Sequence, residues 1–213
     1  MLSSTTRVSV NAAMKNKPRQ GILTRIARFL RDPRGVSAVE FAFMFPVMVL
    51  LYLGGTAMTQ GVVLKRKTTL VTRTVGDLVS QYTQIVDTDM TAILNAATAV
   101  INPYPSGQLS VIVSSVIIDA NGNATIAWSS PSANTTAHTV GAAVTLPAGI
   151  APKDANNNFI AGSTIIWSEG SYAYTLPVGS GVLGMTSMTL SEQFYLRPRR
   201  VTAVKRCATG TCP

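Results

Sequence analysis

Arg34-Gly35-Val36-Ser37-Ala38-Val39-Glu40-Phe41 decides how the rest of this chain is read, because a basic leader runs there into a long apolar segment. Across residues 36–64 the one charged residue is Glu40. An uncharged run of that length is long enough to cross a bilayer as a helix. A carboxylate inside such a run is costly, so its presence points to a function. The glycine before it, with Arg31 and Arg34 close by, suggests a junction read by a protease.

The chain of 213 residues carries a formal charge of +9, and where that charge lies matters more than its size. Residues 1–35 hold eight Lys/Arg against one acid, Asp32, a net of +7; the other 178 residues hold ten basic and eight acidic groups, a net of +2. The positive charge belongs to the leader rather than to a binding face, which argues against a nucleic-acid partner. Basic residues on one side of an apolar span keep that side in the cytoplasm. Lys65-Arg66-Lys67 and Arg73 after the span nearly balance Arg25, Arg28, Arg31 and Arg34 before it. The rest of the leader tips the count, so the amino terminus reads as cytoplasmic and the bulk of the chain as exported.

In an exported domain, Cys207 and Cys212, enclosing Ala-Thr-Gly-Thr, read as a local disulfide. Half of a metal site and two free thiols are the other readings. The metal reading is the poorer one, because the single histidine, His138, is far away in sequence and two thiolates rarely suffice.

Residues 1–20 are polar and basic without periodicity. In 21–31, Ile22, Ile26, Phe29 and Leu30 share a helical face beside Arg25, Arg28 and Arg31, which suits either a helix on an anionic membrane surface or a solvated arm. Asp32-Pro33 ends any helix there. Inside the apolar run, Pro46 removes a backbone hydrogen bond and is expected to kink or loosen the helix. Beyond it, Val71, Val75, Leu78, Val79 and Tyr82 form a helical stripe, with Thr72, Arg73, Thr74, Asp77 and Ser80 on the polar face. A second helix is expected from Asp87-Thr88-Asp89, whose side chains can cap it, to Asn102-Pro103. Strand signals follow at 109–119, at 124–128 after an Asn121-Gly122 two-residue turn, at 164–176 and at 185–196. Residues 130–161, rich in Ser, Asn, Thr, Ala, Pro and Gly, read as a long exposed excursion.

Helices first and strands later give an α+β expectation: a long amino-terminal transmembrane helix extending into an exported domain with a small antiparallel sheet. The expected divisions are a basic cytoplasmic leader (1–35), a transmembrane helix (36–64), an extended helix plus a second helix packed on the head (65–101), and a β-rich exported domain (102–213). The exported part holds no Gly-x-Ser-x-Gly elbow, phosphate-binding glycine loop or zinc-ligand spacing. The expectation is a protein that is not an enzyme, with no cofactor and no small-molecule substrate.

A cut after Gly35 puts Glu40 at the fifth position of a chain beginning with Val36. This resembles the processing site of type IV prepilins, where a membrane aspartyl prepilin peptidase cuts after a glycine and the fifth mature residue is Glu. The run from Gly35 through Val-Glu40-Phe41-Ala42 to Pro46 resembles the amino-terminal signature of TadE-like proteins of Tad (Flp-type) pilus systems. Tyr195-Leu196-Arg197-Pro198-Arg199 leading to a terminal cysteine pair is similar to members of the same group. The resemblance is strong over residues 34–60 and loose elsewhere. It implies a pseudopilin or minor pilin of the inner membrane that acts in pilus assembly. The partners it implies are the prepilin peptidase, other TadE/TadG-like proteins, the major Flp pilin and the inner-membrane platform. It also gives Glu40, with Phe41 beside it, an assembly role: the carboxylate neutralises the new ammonium of Val36 on a neighbouring subunit.

Two other readings of the junction stay open. Gly55-Thr56-Ala57 resembles a signal-peptide cleavage site, which would release a chain beginning at Met58. Alternatively the span is never cleaved. An envelope-anchored adhesion or binding protein, with 130–161 as its contact surface, is the different-class alternative to a pilus component.

Overall fold

A computed structural model describes residues 34–175 and 187–207. The chain divides into two compact units, Met1–Tyr52 and Leu53–Pro213, each described by itself. Residues 1–33 of the leader, with the expected surface helix at 21–31, and Cys212 lie outside the described residues.

In the first unit, residues 34–52 belong to helix α1 (Arg34–Gln81), which is unbroken at Pro46. Residues 35–48 are all exposed. The helix is long and apolar enough to cross a membrane.

In the second unit, α1 becomes one-sided. Ala57, Leu64, Thr68, Val71, Val75 and Val79 are buried at helical spacing, while Met58, Val62, Val63 and Leu70 on the other side stay exposed. Contact with the head thus begins at Ala57, ahead of the expected end of the span at residue 64. The buried face lies on a five-stranded antiparallel sheet of order β4-β3-β2-β5-β6, built from β2 (Leu109–Ile118), β3 (Ala124–Pro131), β4 (Ala143–Val144), β5 (Thr164–Thr175) and β6 (Ser187–Leu196). The expected α+β class and antiparallel sheet are found. Val111, Val113, Ile166 and Tyr172 meet Leu64, Val71 and Val75 in the main core.

Small residues set how closely helix and sheet approach. A Cβ on Gly170 of β5 would stand 1.9 Å from Thr72 Oγ1, and one on Gly76 would stand 2.8 Å from Leu196 Cδ1. Ser168 Oγ donates to Thr72 O at 2.7 Å in the same contact. Thr72 and Ser80, read from the sequence as solvent-facing, are therefore fully buried. Thr72 fills the helix–sheet seam with its hydroxyl satisfied by Thr68 O at 2.7 Å, while the Ser80 hydroxyl donates to Asp77 O at 2.7 Å and its carbonyl accepts from the Arg199 amide at 2.9 Å.

Helix α2 (Asp87–Ile101) packs Met90, Ile93, Ala97 and Ile101 into the same core. Its N-cap is Val86 with no side-chain cap, so Asp87 does not play the capping role expected of it; Asp87 pairs instead with Arg206 at 2.6 Å. The other end is closed from a distance. Lys67 Nζ donates to the carbonyls of Val100 (3.3 Å), Ile101 (3.5 Å) and Asn102. A cation there complements both the orphan carbonyls and the helix dipole. Lys65 is also committed to the head, pairing with Glu192 at 2.5 Å and donating to Ser191 O at 2.6 Å. Two of the three cations after the span therefore have places in the folded head, and Arg66 stays exposed.

The segment after β6 is a strap rather than a free tail. Arg199 pairs with Asp77, and Trp128 Nε1 donates to Val204 O at 2.8 Å. Strand β7 (Lys205–Cys207) then pairs in parallel with β1 (Gln84–Val86). Neither three-residue strand carries a periodic signal of its own.

Residues 132–161 cover the second face of the sheet instead of forming an open excursion. Leu146, Ile150 and Phe159 pack on Val116, Ile118, Ile126 and Ile165. Many neighbours of these three residues are exposed, which is why the composition reads as loop.

Two turns with matching chemistry occur here, one in the β2–β3 connection and one within this layer. The β2–β3 connection is a five-residue turn at 119–123, not the expected two-residue one. Asp119 Oδ1 accepts from the amides of Asn121 (2.9 Å) and Asn123 (2.7 Å). Asp154 Oδ1 accepts from Asn156 (2.9 Å) and Asn158 (2.8 Å) in the same way. Gly122 needs its positive φ of 85°, and any Cβ there would meet the Phe159 ring at 2.4 Å.

The side-chain hydrogen bond from Asn123 holds Asp119 below its usual pKa, and the backbone bond from Asn158 does the same for Asp154. A depressed folded pKa means the stabilisation is present above the ordinary carboxylate pKa and lost as pH falls through the folded one. Both turns are expected to loosen below about pH 4. The check is a fall in the amide protection factors of Asn123 and Asn158 on acidification, taken relative to the intrinsic exchange rate at each pH, with the acid response at the first turn abolished in Asp119→Asn.

Candidate functional site

The residues of the junction share a short stretch of exposed helix. The Gly35–Val36 bond lies in the first turn of α1, and a Cβ on Gly35 would meet nothing within 4 Å. Helix ends leave their first amides without internal partners, so this turn opens at low cost. Val36 is 58% exposed and Phe41 62% exposed, and Glu40 is exposed as well. Val36 and Glu40 are four residues apart, which puts them on one helix face a single turn apart. The Phe41 and Phe45 rings lie 5.7 Å apart, making an aromatic pair beside the carboxylate. Pro46 follows it within the unbroken helix.

Chemically, this is an apolar rod with one ionisable side chain near its start. Val39, Phe43, Met44, Val47, Met48, Leu50 and Leu51 are exposed around it. So much unburied apolar surface is stable in lipid or against other apolar helices. A carboxylate in either setting is stabilised by a cationic partner brought to it.

The carboxyl-terminal site is divided. Cys207 is buried where β7 pairs with Val86, and Cys212 is among the residues left undescribed.

The head holds a second arrangement that sequence reading missed. On the sheet face away from α1, His138 Nε2 pairs with Glu169 Oε2. The imidazole stacks on Trp167 with centroids 4.8 Å apart, and Trp167 stacks on its cross-strand partner Tyr195 at 6.0 Å. Burial, and secondarily the Glu169 carboxylate, pushes the Tyr195 hydroxyl pKa up. The His138 backbone amide donates to Ser129 Oγ at 3.1 Å, and Ser114 Oγ donates to the same oxygen at 2.9 Å. The group fastens the start of the 132–161 layer to the sheet. His138 and Glu169 are 31 residues apart, and no local pattern links them.

Beside this group, Leu146, Phe159, Lys153 and Arg197 line an open groove of about 730 Å3. Lys153 Nζ lies 4.6 Å from the Phe159 ring centroid, and Arg197 Nη2 donates to Ile150 O at 3.1 Å. Among the described residues no cluster of three or more His, Cys, Asp or Glu is placed to hold a metal ion. No family model, curated protein or solved structure matches this chain.

Proposed function

We propose that the protein is a TadE-like pseudopilin or minor pilin: an inner-membrane helical stem with a cytoplasmic amino terminus and a periplasmic α+β head. It acts by assembly rather than turnover. The observation that carries this reading is the exposed apolar start of α1, where an open glycine bond stands five residues before a lone carboxylate. A prepilin peptidase cuts at Gly35–Val36, and Glu40 then neutralises the ammonium of Val36 on a neighbouring apolar helix. TadE/TadG-like proteins and the major Flp pilin are the partners, and a Cys207–Cys212 disulfide closes the carboxyl end.

The groove formed by the 132–161 layer, with Lys153 and Arg197 on its walls, favours a second reading as an envelope-anchored adhesion protein. Deleting the gene and imaging the cells separates the two. A pilus component leaves cells with few or no pili, whereas loss of an adhesin lowers attachment with pilus number unchanged.

A further inference from the structure

We propose that the groove beside β4 is a docking site for an extended, acidic peptide segment of a partner protein. The site lies wholly within the second unit, so it does not depend on how the stem is cut or assembled.

Charge selects the partner. Lys153 and Arg197 are the charged residues that line the groove, and both are exposed. Among the described residues neither has a carboxylate within ion-pair distance, whereas Lys65, Arg199 and Arg206 pair with Glu192, Asp77 and Asp87. The acids nearest in sequence to the lining are engaged elsewhere. Asp119 and Asp154 each direct their carboxylate onto backbone and side-chain amides of their own turn. Neutral acceptors hold both cations in place. Arg197 Nη2 donates to Ile150 O at 3.1 Å, and Lys153 Nζ donates to Asn157 Oδ1 at 3.2 Å while lying over the Phe159 ring. Each keeps further N–H donors for an incoming group. Cations fixed in this way lose little side-chain freedom on meeting a carboxylate.

The walls favour a peptide. Strand β4 is at the edge of the sheet, paired with β3 on one side only. Its Ala143 and Val144 line the groove, and the chain continues along it to Gly149. An unpaired strand edge offers amides and carbonyls to an extended chain. Leu146 and Pro147 add an aliphatic surface to the same wall. Phe159 is a poor platform for a sugar ring, because Lys153 lies over it and Gly122 stands against it. At about 730 Å3 the groove falls within the roughly 300–1,000 Å3 usual for ligand clefts. A chain with Asp or Glu beside aliphatic residues matches both the cations and the wall.

The test selects random short peptides displayed on phage against the full chain in dodecyl maltoside. Bound sequences are expected to be enriched in Asp and Glu. Fluorescence anisotropy with a selected peptide is expected to show roughly tenfold weaker binding to Lys153→Gln and to Arg197→Gln, the order of a close charge pair across an interface. Arg66→Gln, at an exposed cation outside the groove, is expected to bind like the native chain. Thermal melts matching the native chain show that the variants fold. Selection without acidic enrichment, unchanged binding in both groove variants, or an equal loss in Arg66→Gln overturns the inference. Binding of oligogalacturonate that is lost in the two groove variants, with no peptide selected, assigns the groove to an acidic glycan and overturns the peptide partner. None of these results bears on the cut after Gly35 or on pilus number.

Discussion

Gly170→Ala is expected to lower the stability of the head by about 3 kcal/mol, at the upper end for overpacking a well-packed contact. In a chain of this size that corresponds to a fall in melting temperature of roughly 10 °C. The added methyl would lie 1.9 Å from Thr72 Oγ1 and 3.1 Å from Thr72 Cβ, and Thr72 is fully buried between helix and sheet. The threonine cannot simply rotate away, because its hydroxyl is held by Thr68 O and its carbonyl by Ser168 Oγ. Thr72→Ala removes the nearest atom, so the double variant is expected to recover part of the loss through coupling between the two sites. Gly107→Ala serves as the control, since a Cβ there meets nothing within 4 Å; its change should stay within about 0.5 kcal/mol. Thermal melts of the native chain and these four variants in detergent, followed by circular dichroism, measure all of this. Equal melting temperatures for Gly170→Ala and Gly107→Ala would refute the close helix–sheet approach.

Glu40→Gln is expected to leave the chain inserted in the membrane but unable to assemble. Removing one partner of a desolvated ion pair costs about 3–5 kcal/mol. That energy corresponds to a loss of roughly two to four orders of magnitude in association. The amide keeps the size and shape of the side chain, so the packing of Phe41 on Phe45 is unaffected. Pull-down of a tagged chain with the major pilin, together with pilus counts, gives the readout. A variant that assembles like the native chain would remove Glu40 from the mechanism.

The legible parts of this molecule are those with a local period. The stripe at Val71, Val75 and Val79 is the buried face of α1, and Asn102-Pro103 does end α2. The strand runs at 109–119 and 164–176 match β2 and β5 to within a residue. What escaped reading is non-local. Thr72 looks solvated until a sheet with Gly170 and Ser168 is laid against it, and Ser80 until the segment after β6 reaches it. The Asn121-Gly122 pair signals a tight hairpin, but the bonds of Asp119 to Asn121 and Asn123 favour a wider turn. Leu146, Ile150 and Phe159 are too scattered among Asn, Gly and Pro to announce a covering layer. Lys65 and Lys67, counted as charges flanking a span, also act as partners for Glu192 and for the end of α2. At the junction the spacing of Gly35 and Glu40 was readable directly, because both lie within two turns of one helix.

The central claim is a cut at one bond, and the first residue of the chain recovered from the cell envelope tests it. Intact-mass measurement with amino-terminal sequencing is expected to find Val36, with the preceding 35 residues removed, and to find the full leader when the prepilin peptidase is absent. A mature chain beginning at Met58, or one that retains its leader while the peptidase is active, would contradict the account.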